Sequence, residues 1–476
     1  MNEPIGLPRE VVDAVGYVHR LDAKPIGQGG QGIVFRTRDQ HIAVKMLTDN
    51  LGRPLQNPEA RERLSRQLED FRLLPLPDLH IATPVAMLAP PLVGYVMRLL
   101  TDMVPIDTLI ARPNANLAEF YLTGGGLKRR LGLLARTAET LSRLHAVPLV
   151  YADVSRNNVF ISKDTVAGEA WLIDSDNLHY LSRSSFRIYT PDFGAPEIVQ
   201  GASGVNTLTD IHSFSVLAFW VLCQKHPFLG DYVDDGGPEI EAKALGGDIP
   251  WIHDENDNSN CTQNGIPRDI VLSPRLWELF HATFGAGRTQ PSRRPSMLRW
   301  VEALHQAADL AVTCSECRSS YYVKEKSCPW CGAAMPPFVY VESRCWVPEL
   351  DICDESETSD GTDSAWKRFL RARPAWRKAL VVGESAILSR HVVEPTIFRD
   401  GNPVALQVEF SRKAMKITPV SGLELHIATP SGEIQPLISA VTITLSDLRA
   451  GWHLHCGPMN RSHRLVSFGY FEKRAP

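Results

Sequence analysis

The chain has 476 residues, 44% hydrophobic and 22% charged, with 33 Gly and 34 Pro, an ordinary globular composition that excludes wholesale disorder, a collagen-like fibre and a disulfide-packed miniature. At roughly 150 residues per domain the length predicts about three domains. The 50 Lys plus Arg against 54 Asp plus Glu leave a net charge of −4, so no global basic field exists to grip nucleic acid or anionic lipid, and neither is an expected partner.

Residues 1–10 hold three charges (Glu3, Arg9, Glu10) and no apolar segment of the kind that heads a secreted chain. The longest apolar run, 216–223, falls far short of the ~20 residues that cross a bilayer and reads as a buried helix. The expectation is a cytoplasmic protein without a membrane span. Strand-like and helix-like stretches alternate up to about Ala307. The first to carry chemistry is Gly27-Gln28-Gly29-Gly30-Gln31-Gly32-Ile33-Val34, whose missing side chains let backbone N–H groups approach phosphate oxygens. Ile33, Val34 and Phe35 continue as a strand where a dinucleotide fingerprint would open a helix. The loop therefore reads as a β-hairpin lid over a nucleotide, the alternative being a Gly-rich turn with no ligand. Ile42-Ala43-Val44-Lys45 follows, a strand ending in a cation. Residues 58–74 have helical spacing, with Leu64, Leu68 and Phe71 on one face, and carry the acids Glu62 and Glu69. Next come Gly94-Tyr95-Val96-Met97 and then Tyr151-Ala152-Asp153-Val154-Ser155-Arg156-Asn157-Asn158, with an acid and an amide five positions apart. Leu172-Ile173-Asp174, Thr190-Pro191-Asp192-Phe193-Gly194-Ala195-Pro196-Glu197, Asp210-Ile211-His212-Ser213-Phe214-Ser215 and Arg293-Arg294-Pro295-Ser296 complete the series.

In this order the motifs resemble those of protein kinases, across residues 22–307. The resemblance implies a bilobal kinase-like fold of α+β class, with an N-lobe at about 22–100, a C-lobe at about 101–307 and an N-terminal extension at 1–21. It implies that Gly27, Gly29, Gly30, Gly32 and Val34 cover ATP. Ala43 would stack on the adenine, Met97 stand at the hinge, and Lys45 neutralise the α- and β-phosphates, steadied by Glu62 or, alternatively, Glu69. Asp153 would accept the hydroxyl proton, Asn158 and Asp174 would hold Mg²⁺ (or Mn²⁺), Thr190 would contact Asp153, and Arg294 would pair with Glu197. Asp210 would open the central C-lobe helix. Ser182, Ser184, Ser185 and Thr190 are candidate phosphosites, the serines before Thr190.

Four departures stand out. Ala152 replaces the arginine that senses activation-loop phosphorylation, Ser155 replaces the catalytic-loop lysine, with Arg156 one place on as its substitute, and Ser175-Asp176 replaces Phe-Gly after Asp174. As a set, these features and the His226-Pro227-Phe228-Leu229-Gly230 ending resemble the bacterial kinases of tellurite-resistance-type phosphorylation triads. That likeness implies a C-terminal zinc ribbon and, as partners, a von Willebrand factor A domain protein and a PP2C-like phosphatase.

Cys314-Ser315-Glu316-Cys317 and Cys328-Pro329-Trp330-Cys331-Gly332 are two CxxC turns, a pattern that presents four thiolates to a structural Zn²⁺ within a ribbon at about 310–340. Cys223 and Cys456 read as core thiols, Cys261 lies alone in a polar loop, and Cys345 with Cys353 is a weaker metal candidate. Residues 351–363 hold six acids and no base, a solvated linker placed at 350–365. A basic stretch follows at 367–378, read as an amphipathic segment packed on a β-rich, sandwich-like domain at 366–476 with strands near 380–382, 404–410, 423–427 and 441–445. The functional expectation is an ATP- and Mg²⁺-dependent Ser/Thr protein kinase acting on itself or a partner protein in bacterial signalling or stress response. The alternative is a pseudokinase scaffold that binds nucleotide or partners without phosphoryl transfer.

Overall fold

The computed structural model describes residues 7–29, 32–49, 51–74, 76, 79–181, 187–349, 365–372, 374–388, 390–393, 406–420, 423–449 and 451–471. They form a mixed α and β structure with many sheets, and the chain divides into two units: Met1–Gly125 with Arg129–Leu304, and Gly126–Lys128 with His305–Pro476.

The first unit begins with a six-stranded antiparallel sheet. Its strands are β1 (Glu10–Val12), β2 (Val18–Gly29), β3 (Gly32–Thr37), β4 (Ile42–Leu47), β5 (Pro84–Met87) and β6 (Gly94–Arg98), in the order β1-β2-β3-β4-β6-β5. Two-residue periodicity sorts the side chains. Ile33, Phe35, Val44, Met46 and Val96 fill one core with Val11, Leu21 and Leu88. Val34, Lys45 and Tyr95, in direct register across β3, β4 and β6, occupy the opposite face. There Leu47 and Tyr95 pack with Leu68 of helix α1 (Pro58–Arg72). Asn57 caps α1 by accepting from the N–H groups of Glu59 and Ala60, with Pro58 at its first position. The expected N-terminal extension is corrected: β1 pairs with β2, and Asp13 bridges Leu88, because buried Val11 supplies part of the sheet's core.

The remainder of this unit is mainly helical. The apolar run 216–223 lies in helix Thr207–Cys223, buried over almost its whole length and started by an Asn206/Thr209 capping box. Rings from neighbouring helices close on it: Phe219 and Phe280 at 5.2 Å, Phe280 and Trp300 at 4.8 Å. No helix among the described residues is long and apolar enough to cross a membrane. Just beyond this helix, His226 is buried, its Nε2 donating to the Asp192 carbonyl at 3.0 Å and its Nδ1 accepting from Phe228 N–H at 3.2 Å. Burial pulls its pKa down to about 4, so the unfolded chain binds a proton first. Stability should therefore fall as pH drops from about 6.5 towards about 4, by roughly 3 kcal/mol at most from this group. Urea unfolding at a series of pH values should show that loss together with the losses from other buried histidines such as His212 and His253, and His226→Gln should remove this group's share of it.

Beside a two-stranded sheet, Ala311–Thr313 with Ser320–Tyr322, the second unit carries two larger sheets around one core. The first runs Trp376–Val381, Phe338–Trp346, His463–Phe471, His453–Cys456, Leu425–Ala428 and Ile434–Pro436, and the second Ser385–Leu388, Leu406–Phe410, Ala414–Pro419 and Val441–Thr444. Val341, Leu380, Val408, Ile417, Ile427 and Val466 are among the buried side chains between them. The module's expected start at 366 is corrected: Phe338–Trp346 pairs along its full length with His463–Phe471, from Phe338↔Phe471 to Trp346↔His463. Its alternating burial gives it one face in the core. The acidic stretch thus interrupts the module in sequence; all but Glu349 of its 349–364 neighbourhood, Cys353 included, lies outside the described residues. Within the basic stretch Arg377 pairs with Glu342 and Lys378 with Asp309, while Trp376 Nε1 donates to Asp309 at 2.8 Å.

Candidate active site

β4 runs two residues past Lys45, to Leu47, correcting the expectation that the strand ends at the cation. Lys45 lies on the face shared with Val34 and Tyr95, and its side chain is 7% exposed. Its ammonium contacts Asp174 Oδ1 and lies 2.5 Å from Asp176 Oδ2. Burial opposes the charged form, but the carboxylates of Asp176 and Asp174 more than offset it, so the Lys45 pKa is raised and the cation persists. Tyr95 Oη donates to Asp176 Oδ1 at 2.5 Å. Burial, reinforced by Asp176, holds this phenol well above its ordinary pKa and keeps it a donor.

The acids expected on α1 take no part in this cluster. Glu62 pairs with Arg66 and Glu69 with Arg72, at the surface. The reason is helical geometry: Leu64, Leu68 and Phe71 define the inward stripe, and Glu62 and Glu69, seven residues apart, share the outward side. The assignment of either as the Lys45 partner is corrected to Asp176.

Asp153 stands at the start of a loop held from below. Asp210, 1% exposed, accepts from the N–H groups of Tyr151 and Ala152 at 2.8 Å each and from His145 Nε2 at 3.1 Å. These bonds fix Ala152 at φ 76°, a left-handed conformation that a non-glycine residue adopts only under constraint. Asp153 Oδ1 accepts from Thr190 Oγ1 at 2.7 Å, and its Oδ2 from Asn158 Nδ2 at 2.9 Å. Burial raises the Asp153 pKa despite those donors, with Asp174 adding to the rise, which makes the carboxylate a better proton acceptor.

Asn158 and Asp174 are neighbours through the backbone, Ile173 N–H donating to Asn158 O at 2.9 Å. Tyr151 Oη also donates to the Ile173 carbonyl, and Ser175 Oγ to Ala82 O at 2.6 Å, so both flanks of Asp174 are tethered while its own backbone sits at φ 57°. Because the Asn158 amide nitrogen donates to Asp153 twice, its oxygen is the atom left for a cation. An amide oxygen and a carboxylate are the hard donors that a small divalent cation prefers.

Gly29 and Gly32 pair at the tip of the β2–β3 hairpin; Gly27 lies along β2, and Gly30 is outside the described residues. A Cβ on Gly32 would sit 2.6 Å from Met46 O, so only glycine fits against β4 there. Val34 is half-buried, and Met97 lies directly across from buried Ala43. Glu197 receives a bidentate grip from Arg294 at 2.6 and 2.8 Å. Arg156 is corrected as the substitute for a catalytic lysine. Its side chain pairs with Asp107 at 3.4 Å and lies 4.9 Å over the Trp220 ring, while Ser155 Oγ is buried without a partner. Of the candidate phosphosites, Thr190 is held on Asp153, and Ser182, Ser184 and Ser185 lie outside the described residues. Sequence reasoning missed Tyr95, Tyr151, Ser175 and Asp176; the acid at Asp176, noted only as a departure, was the available signal.

In the second unit Cys314, Cys317, Cys328 and Cys331 bring their Sγ atoms within 4.8 Å of one another. Cys314–Cys331 and Cys317–Cys328 are each 3.7 Å apart, matching the edge of about 3.8 Å expected for thiolates around a tetrahedral ion with metal–sulfur bonds of about 2.3 Å. Strands Ala311–Thr313 and Ser320–Tyr322 pair beneath the first turn, and each turn closes on a left-handed residue, Arg318 at φ 63° and Gly332 at φ 76°. Cys223 and Cys456 are buried, as expected of core thiols, and Cys261 and Cys345 are exposed.

No protein-family model matches the chain. It is similar over 217 residues, at 28% identity, to the DNA damage-responsive serine/threonine-protein kinase RqkA of Deinococcus radiodurans, covering 43% of this chain and 30% of that protein. It is also 34% identical over 110 residues to the serine/threonine-protein kinase pkn2 of Myxococcus xanthus, covering 21% of this chain and 13% of that protein. A third similarity, 34% over 173 residues, is to human protein kinase C delta type, covering 33% of this chain and 24% of that protein. Its relatives are thus Ser/Thr protein kinases, and the chain spans less than a third of the length of each of these three.

Proposed function

We propose that the first unit is a bilobal protein kinase domain that transfers the γ-phosphoryl group of ATP to Ser or Thr hydroxyls of a protein, with Mg²⁺ as cofactor. One observation carries the reading: Lys45, Asp153, Asn158 and Asp174, scattered over 130 positions of sequence, are linked into one cluster by the contacts Lys45–Asp174, Ile173–Asn158 and Asn158–Asp153. The similarity to Ser/Thr kinases supports it.

In this reading the glycine hairpin covers the phosphates, Lys45 binds the α- and β-phosphates, and Ala43 and Met97 flank the adenine. Asn158 and Asp174 hold the metal, which when bound neutralises charge on the transferring phosphoryl group. Asp153 orients the acceptor hydroxyl and takes its proton, its burial supplying the basicity. Transfer of this kind asks the protein mainly for position and charge, and the tethers on Asp174 and Asp153 supply both. The four cysteines hold a structural zinc ion. A cytoplasmic place in a bacterial signalling system, beside a von Willebrand factor A domain protein and a PP2C-like phosphatase, belongs to the same proposal through the resemblance to the tellurite-resistance-type triads.

Incubation with γ-labelled Mg-ATP should label the protein itself or an added protein acceptor. Asp174→Ala should lower transfer by about 10²-fold or more, because it removes a metal carboxylate and leaves Lys45 to Asp176 alone. The scaffold alternative draws on buried, unpartnered Ser155 and the diverted Arg156; nucleotide binding without turnover in the wild-type chain would establish it and reject the kinase.

A further inference from the structure

Lys45 is held by a carboxylate from an unusual direction. In the first unit, the cross-strand pair Lys45↔Tyr95 projects from β4 and β6 onto one side of the sheet, and both side chains close on Asp176, which is 5% exposed. Asp176 uses one oxygen for each: Oδ2 for the ammonium and Oδ1 for the phenol, at 2.5 Å in both cases. The α1 helix reaches this segment through a neutral group, Gln67 Nε2 donating to the Asp176 carbonyl at 3.3 Å. Beyond that bond a cavity of about 410 Å³ lies between Phe71 and Leu74 on the helix side and Asn177 and Leu178 on the other.

From this geometry we infer that Asp176, clamped by Tyr95, is the positioning residue for Lys45, and that Glu62 and Glu69 of α1 are dispensable for phosphoryl transfer. The inference rests on the kinase reading above and adds to it where the orienting charge comes from. Asp174 has two duties in that reading, since its carboxylate contacts Lys45 and is also a metal donor. Asp176 resolves the conflict. With its own carboxylate on Lys45, the ammonium keeps a fixed partner when a cation draws on Asp174, and it stays where the phosphates need it. Because Asp176 sits two residues from Asp174 on one 3₁₀ turn, Ser175–Asn177, metal donor and lysine anchor move together, whereas a helix-borne acid would tie Lys45 to the position of α1.

The test measures steady-state transfer from Mg-ATP to a protein acceptor, together with calorimetric binding of Mg-ATP, on the full chain. Asp176→Asn preserves shape and removes the charge; kcat/KM for ATP should fall about 10- to 100-fold, with the KM for the acceptor unchanged and the melting temperature retained. Asp176→Glu should recover part of that loss, and Tyr95→Phe should show a smaller loss in the same parameter. Glu62→Gln and Glu69→Gln should stay within about twofold of wild type. A wild-type value in Asp176→Asn, or the loss appearing in Glu62→Gln or Glu69→Gln, overturns the inference. If the wild-type chain transfers no phosphoryl group, the kinase reading falls, and the binding arm decides alone: weaker Mg-ATP binding in Asp176→Asn upholds the role of Asp176 and unchanged binding rejects it. A wild-type chain that neither transfers nor binds overturns both.

Discussion

Replacing Asp153 with alanine should lower kcat by about 10²- to 10⁴-fold, the range that a positioned proton acceptor contributes, while leaving the KM for ATP within about threefold. The separation follows from the geometry. Asp153 bonds to Thr190 and Asn158 and is not among the partners of Lys45, so its loss removes the acceptor-side group and spares the phosphate-side cation. Asp153→Asn is the sharper variant, because the amide keeps the shape but cannot take a proton. Asp153→Ala also leaves the Thr190 hydroxyl without its acceptor, whereas the amide oxygen of Asp153→Asn can still take that bond, so comparing the two variants, with proteolysis of the segment around Thr190, separates loss of chemistry from loss of order. Transfer within tenfold of wild type in Asp153→Asn would remove Asp153 from its assigned role.

The second large effect is expected from the cysteine cluster. Purified protein should contain one zinc ion per chain, released with a thiol-specific reagent and counted with a metallochromic dye. Stripping the metal should unfold the segment around residues 311–334, since the free energy of a four-thiolate site is on the order of 10 kcal/mol, comparable to the whole stability of a typical domain. Val312, Cys314, Tyr321 and Cys328 share their cluster with Ala379 and Val381 of the adjoining sheet strand, so the loss should spread into the β module as a lower melting temperature. Cys331→Ser should reproduce it. A visible sulfur-to-metal charge-transfer band would instead assign iron, which accepts the same donor set. Full retention of the melting temperature after removal of every metal ion would reject a structural ion.

What could be read from the chain divides by the range of the interaction. Asp153 and Asn158, or Cys314 and Cys317, owe their relation to short spacing along the backbone, and such spacing survives in a linear text. The pairing of Lys45 with Asp176 and Tyr95 depends on a strand register and on a turn more than a hundred residues away, which no local pattern reveals. Glu62 and Glu69 are different, for the information was present. The stripe of Leu64, Leu68 and Phe71 already places both acids on the outer side of α1, against what the kinase resemblance implies for them. Arg156 is held by Asp107 and Trp220, partners from distant segments that a one-residue offset in the motif does not reveal. In the second unit the strands after 376 were visible as alternating segments bounded by turns, but Phe338–Trp346 was hidden behind the acidic stretch, whose composition looked like the boundary of the module.

That strand has a consequence for how the protein is made. Phe338 is matched with Phe471, so at synthesis rates of about 5–20 residues per second the ribosome needs on the order of ten seconds to deliver the partner. During that interval the strand holding Val339 and Val341, both fully buried in the finished molecule, can pair on one edge only, with Trp376–Val381, whereas the cysteine turns at 314–331 are complete earlier and can already capture an ion. The expected window of aggregation risk in the nascent chain therefore lies between synthesis of Phe338–Trp346 and synthesis of His463–Phe471.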